Sequence, residues 1–174
     1  MKLSRVSSVA VAAVLLVSPA SAFAQAPTDA QIAHIVVTAN QVDIDAGKLA
    51  ASMASSPAVK SFGELMVTDH TGVNKQASDL AAKLKVTPQD NPTSQGLEAG
   101  GDKNIATLKT LKGAAFDRAY IDNEVSYHQA VLDAVDKTLI PSAQNAELKA
   151  LIQKVRPAFV AHLEHANKVQ ASLK

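Results

Sequence analysis

A carboxylic acid and an imidazole stand four residues apart where the sequence places Glu124 and His128. Residues at this spacing lie on the same face of an α-helix, so the two side chains point in one direction. A carboxylate beside an imidazole can bind a metal ion or exchange protons. The role of this pair depends on the helix that carries it and on the side chains that neighbouring helices place opposite it.

The chain after about residue 25 has the pattern of helices only. Ala is abundant, apolar residues recur at helical spacing, and Gly and Pro are concentrated in a few places. The predicted helix ends are marked by capping residues, by a capping-box pattern that begins at Thr28, and by Pro at first helical positions. Four long helices are predicted, from Thr28 to about Ala54, from Ser56-Pro57 to about Val86, from Ala114 to Leu139, and from about Ala143 to Ser172.

Two Pro and three Gly residues lie in the segment from Thr87 to Gly101. This density of helix-breaking residues predicts an irregular segment, the longest connection of the chain, followed by a shorter helix from about Asp102 to Leu111. Pro157 predicts a kink or a break in the last helix. The predicted fold is all-α, an antiparallel four-helix bundle with a long connection between helices two and three.

Each predicted long helix carries ionisable residues within its apolar stripe. On a helical projection of 100° per residue, the inward-facing acids and imidazoles are Asp43, His70, Glu124, His128 and His162. An isolated charge in an apolar core costs several kcal/mol, so such groups pair, become neutral or bind a cation. Helical bundles build metal sites from inward carboxylates and imidazoles on facing helices. The five residues are therefore candidate ligands of a transition-metal ion such as zinc, copper, iron or manganese.

Two other interpretations of these residues stay open. The same groups could form a metal-free polar network that fixes the register of the helices in a structural or interaction module. A third interpretation is an exported enzyme in which Glu124 and His128 act as acid and base. The sequence has no Gly-rich phosphate loop, no Gly-x-Ser-x-Gly motif and no Cys, so phosphoryl transfer and the common covalent hydrolases have no support. No catalytic residue is predicted.

The first 24 residues have the pattern of a signal peptide with cleavage before Gln25. Lys2 and Arg5 precede an apolar run that is about half the roughly 20 residues needed to cross a bilayer. The predicted mature chain, residues 25–174, is therefore a single periplasmic domain without stable membrane insertion. A formal net charge of +1 offers no electrostatic surface for nucleic acid. The sequence identifies no protein partner.

Four segments also carry a family resemblance, namely Gly47-Lys48-Leu49-Ala50, Val59 to His70, Ala115 to His128 and Arg156 to His165. Their most specific pieces are Met-x-x-Asp-His, Phe-Asp-x-x-Tyr and the later His pair. In these pieces the sequence resembles the domain of unknown function 4142 family, exported bacterial proteins with a ferritin-like helical bundle. The resemblance implies that fold and an exported location, and it implies no settled activity.

The resemblance places His70, His128 and His162 at the family's His positions, and Asp43 where the family more often carries Glu. In the wider ferritin-like group, di-iron centres use a Glu-x-x-His motif on each of two helices. Here Val67 and Phe159 stand three residues before His70 and His162, so neither motif is complete. The sequence therefore favours a His-richer mononuclear site, or none, over a carboxylate-bridged di-iron centre.

Overall fold

The computed structural model describes residues 26–173. The predicted signal peptide, residues 1–24, and the cleavage point before Gln25 lie outside the described residues. The described part is all-helical, as predicted, and within it every helix is too short or too polar to cross a bilayer. Its five helices are α1 (Asp29–Met53), α2 (Pro57–Leu84), α3 (Pro92–Leu108), α4 (from Gly113) and α5 (Ala146–Ser172).

The prediction of an irregular segment over residues 87–101 is confirmed for residues 87–91 and wrong for residues 92–101, which are helical. α3 begins at Pro92, and its last part takes the place of the predicted short helix from Asp102 to Leu111. The Asn91 side chain accepts hydrogen bonds from the backbone N–H groups of Thr93 and Ser94, both at 3.1 Å, and the Ser94 hydroxyl accepts one from the backbone N–H of Asn91. This capping box, with Pro92 at the first helical position, starts the helix despite its glycines.

α4 is longer than predicted and contains one irregular turn. It is α-helical over Gly113–Ala134, π-helical over Val135–Leu139, and ends with the α-helical turn Ile140–Ser142. In a regular α-helix the ring of Pro141 would clash with the carbonyl four residues before it, and the wider π turn immediately before Ile140 relieves that clash. α5 continues through Pro157 without the break that the sequence allowed.

α5 begins three residues later than predicted, at Ala146 rather than Ala143. The Asp29 carboxylate of α1 accepts hydrogen bonds from the backbone N–H groups of Gln144 and Asn145, each at 2.9 Å. These two amides are therefore bonded to α1 instead of starting a helix. The side chain of Asn145 then caps α5 by accepting from the N–H of Glu147 and of Leu148.

α1 and α2 approach each other closely at Gly47 and Gly63. A Cβ atom built on either glycine would lie 2.8 Å from the backbone oxygen of the other, a distance that real Cβ atoms do not adopt. The absence of both side chains lets the two backbones come together. Further along the same pair of helices, Asn40 of α1 contacts His70 of α2, so the close approach sets the distance between polar residues of both helices.

Asp117 of α4 forms hydrogen bonds to the turn between α1 and α2. Its carboxylate accepts hydrogen bonds from the backbone N–H of Ser55 at 3.0 Å and of Ser56 at 2.8 Å, and also from the Ser55 hydroxyl. Phe116 and Tyr120, on the same stretch of α4, are fully buried. The Phe-Asp-x-x-Tyr motif thus holds this end of the molecule together.

Two groups of buried apolar residues lie on either side of the middle of the long helices. One contains Phe62, Met66, Phe116 and Tyr120, and the other is centred on residues such as Ile32, Leu139, Leu148 and Ile152. Val73, Leu132, Val155 and Phe159 form a third, smaller group. The inward-facing acids and imidazoles therefore occupy a polar layer with apolar packing above and below.

We expect Gly63→Ala to lower the free energy of unfolding by about 1–3 kcal/mol, because the added methyl group overpacks the contact with Gly47 and Ala50. Gly72→Ala in the same helix is the matched control, since a Cβ there has no neighbour within 4 Å. It should raise stability by about 0.5–1 kcal/mol through helix propensity alone. Urea unfolding measures both, and equal effects of the two substitutions would contradict the close approach.

Candidate metal centre

The structure brings all five sequence-predicted site residues together at the centre of the molecule. Asp43 lies on α1, His70 on α2, Glu124 and His128 on α4, and His162 on α5, and each is between 1% and 4% exposed. The Oδ2 atom of Asp43 lies 3.1 Å from Nε2 of His70 and 3.5 Å from Nε2 of His128. The Oε2 atom of Glu124 lies 3.5 Å from Nδ1 of His128. α3 contributes none of the five.

Two sets of three residues each converge tightly enough to hold an ion. In the first, one ligand atom from each of His70, His128 and His162 lies within 4.8 Å of the others. In the second, the same holds for Asp43, Glu124 and His128. His128 belongs to both sets, so the three imidazoles and the two acids form one continuous cluster.

The orientation of His70 is fixed by Asn40. The Asn40 side-chain amide donates to the Val36 backbone oxygen at 2.7 Å, so its Oδ1 atom must face His70. That oxygen lies 2.6 Å from Nδ1 of His70 and accepts a hydrogen bond from it. With the proton on Nδ1, the neutral ring presents the lone pair of Nε2 toward Asp43.

His128 and His162 are held in the same way. The Nδ1 atom of His128 donates to the Glu124 backbone oxygen at 3.0 Å, which leaves Nε2 without a partner among the described residues. The Nε2 atom of His162 donates to Asp69 Oδ2 at 2.9 Å, which leaves Nδ1 free. Acceptors on the far side of a ring orient metal-binding histidines in this manner and raise their basicity.

The inward-facing atoms have no hydrogen-bond partner among the described residues. These buried atoms are Nε2 of His70, Nε2 of His128, Nδ1 of His162, Oδ1 of Asp43 and Oε2 of Glu124. Buried polar atoms in folded proteins are nearly always paired, and leaving one unpaired costs about 1–3 kcal/mol. Each of the three imidazoles therefore has one inward-facing nitrogen that no described residue satisfies.

Burial shifts the pKa of His70, His162 and Glu124 in the direction that favours their neutral forms. Desolvation lowers the pKa of His70 to about 4 and outweighs the attraction of Asp43, and it also lowers the pKa of His162. Burial, followed by the nearby Asp43 carboxylate, raises the pKa of Glu124 well above its ordinary value. Neutral imidazoles are the form in which His binds metal ions, and a protonated acid can release its proton when an ion arrives.

The sequence did not identify Asn40 or Asp69 as part of the site. Asn40 lies one turn before Asp43, on the face that packs against α2. Asp69 lies at the margin of the α2 stripe and is 40% exposed, so its periodicity resembles that of a surface acid. The adjacency of Asp69 and His70 in the sequence could have indicated this role. Adjacent residues on a helix point 100° apart, so the two side chains can contact two different neighbouring helices.

The comparisons with known proteins support the fold and the family. A solved structure described as "CopM in the Cu(II)-bound form" matches 86% of this chain and 100% of that chain, with a TM-score of 0.67 and 16% sequence identity. At this identity the likeness concerns the fold alone. No curated protein matches the sequence. The family described as domain of unknown function (DUF4142) matches residues 16–169, which is most of the chain, so this protein belongs to the DUF4142 family.

Proposed function

We propose that this protein binds one divalent transition-metal ion in the polar layer between α1, α2, α4 and α5. The candidate ligands are Asp43, His70, Glu124, His128 and His162, and either of the two sets of three that share His128 lies close enough together to hold one ion. One observation carries the proposal, namely that three histidines each donate one ring N–H to an acceptor behind them and turn the other nitrogen, unpartnered, toward the same buried cluster.

The contact between His70 and Asp43 gives the electrostatic reason for a cation. Because Asn40 takes the proton of Nδ1, the Nε2 lone pair of His70 faces a carboxylate oxygen at 3.1 Å. Two electron pairs at that distance repel each other unless a positive charge lies between or beside them. A divalent ion bound by neutral imidazoles, Asp43 and deprotonated Glu124 would leave the buried cluster without net charge.

Nitrogen-rich ligands with one or two carboxylates suit Cu(II), Zn(II) and iron. Cu(II) is the first ion to test, because the solved structure with this fold contains it. Zn(II), iron and manganese are the further candidates. The proposal extends to the setting of the site, which is a ferritin-like antiparallel four-helix bundle in an exported, periplasmic protein.

A metal-free network is the weaker alternative. A network that only fixes the register of the helices is stable when its members satisfy one another's hydrogen bonds. Here the three imidazoles are satisfied on their outer sides and unsatisfied where they face the cluster. That arrangement supports a bound ion more than a self-contained network.

Metal titration tests the proposal directly. We expect one equivalent of Cu(II) or Zn(II) to bind and to raise the melting temperature by about 5–10 °C at a hundredfold excess over Kd, since that excess stabilises by about 2.7 kcal/mol. His70→Gln and His162→Gln should lose this shift, and His34→Gln, on α1 but outside the cluster, should keep it. Bound metal far below one equivalent, together with no rise in melting temperature for any ion, would favour the metal-free network.

Asp69→Asn should weaken metal binding by roughly 10- to 100-fold, because the amide no longer holds His162 with a charged acceptor. The control is Asp79→Asn, which changes an exposed acid of the same helix that pairs with Lys75. Calorimetric titration of both variants measures the effect. Equal affinities for the two variants would show that Asp69 does not support a ligand.

The raised pKa of Glu124 predicts a pH dependence of the metal-free protein. In the unfolded chain Glu loses its proton near pH 4.5, but in the folded protein Glu124 keeps it to higher pH. The stability that this protonated acid contributes is therefore complete below pH 4.5 and is lost as the pH rises. Above pH 4.5, the free energy of unfolding of the Glu124→Gln variant should therefore rise relative to that of the unsubstituted protein, by up to about 1.4 kcal/mol per pH unit.

Urea unfolding in the presence of a chelator, from pH 5 to pH 7.5, measures this difference. Both chains have the same histidines, so their titration cancels in the comparison. A stability difference that stays constant over this range would contradict the buried, protonated state of Glu124.

A further inference from the structure

A largely apolar chamber of about 150 Å³ lies beside the polar layer. Asp43, His70 and His128 form part of its wall, together with Asn40 and Phe159. The rest of the wall is almost entirely apolar. The apolar residues include Ile35, Val73, Val135, Leu139, Ile152 and Val155.

The chamber has one polar end. Along α1 its wall runs from Ile35 to Asp43, and along α4 it runs from Tyr127 to Leu139. The polar side chains therefore occupy the end next to the site, and the apolar ones extend away from it. The far end is built partly from the π turn, through Val135 and Leu139, and single π turns in helices are frequent near functional sites.

The size of the chamber is sufficient for a small molecule. Protein interiors are packed with few voids larger than a water molecule, and an apolar cavity of about 150 Å³ stays dry and accepts benzene. Small side chains leave this space open, since Ala39 and Ala134 are in the wall. Thr93 and Ala130 also line it and are exposed, so the chamber reaches the surface there.

We propose that this chamber binds a small, mostly apolar molecule with a single oxygen or nitrogen atom, and that this atom binds the metal ion. The inference rests on the proposed metal site. The apolar walls take a body about the size of a benzene ring, and the polar end directs the one donor atom toward His70, His128 and Asp43. Metal sites that act on a ligand keep a coordination position for it, and the chamber gives access to that position.

Phenol and benzene are matched probes, because they differ by the one oxygen atom. Calorimetric titration of the metal-free protein should show that both bind, and loading with Cu(II) should strengthen phenol binding by about tenfold or more while leaving benzene nearly unchanged. Phenol should also change the visible absorption of the bound Cu(II), and benzene should not. Equal affinities of the two probes for the metal-loaded protein would overturn the proposed contact with the ion.

Ala134→Leu adds three carbon atoms inside the chamber and should reduce the affinity for both probes by about tenfold. Ala115→Leu makes the same change at an exposed position of α4 and should leave binding intact. If the native protein takes up one equivalent of metal but binds neither probe, this inference fails and the metal site stands. If no metal binds, the proposed metal site fails. In that case, benzene binding that is lost in Ala134→Leu still supports the chamber as a ligand site. If benzene does not bind either, the chamber is overturned as a ligand site as well.

Discussion

The cost of removing ionisable side chains from water is the constraint on which this structure depends. Asp43, Glu124 and three imidazoles are almost completely buried between two groups of apolar side chains. Such groups are stable in a dry interior only when their charges cancel or when they become neutral. The lowered pKa of His70 and the raised pKa of Glu124 are two expressions of this cost. A cation shared by the whole cluster would relieve it for every member at once.

The direction in which each imidazole presents its lone pair depends on a hydrogen-bond acceptor that lies behind the ring, away from the centre of the cluster. An amide oxygen, a backbone carbonyl and a carboxylate each take one ring proton, and the remaining nitrogens face inward. The supporting contacts depend in turn on helix packing. Asn40 meets His70 because α1 and α2 approach closely at two glycines, and Asp117 keeps the turn between these helices against α4. The orientation of the imidazoles therefore depends on how closely the helix backbones pack.

Helical periodicity was enough to find the five central residues, because facing inward is a property of one helix at a time. The helical fold class followed from the same signal. The first part of α3, residues 92–101, was missed because its glycines suggested a loop, whereas Asn91, Pro92 and Ser94 provide a complete start signal. Asn40 and Asp69 were missed for a different reason. Their roles depend on which neighbouring helix lies opposite, and one-dimensional spacing does not contain that information.

Asp69 links the interior to the surroundings. Its carboxylate is 40% exposed, and it holds a ring that is 5% exposed. Dissolved salts screen a solvent-facing charge strongly and a buried one weakly. The position of the buried His162 ring therefore depends on a carboxylate that water and dissolved ions can reach.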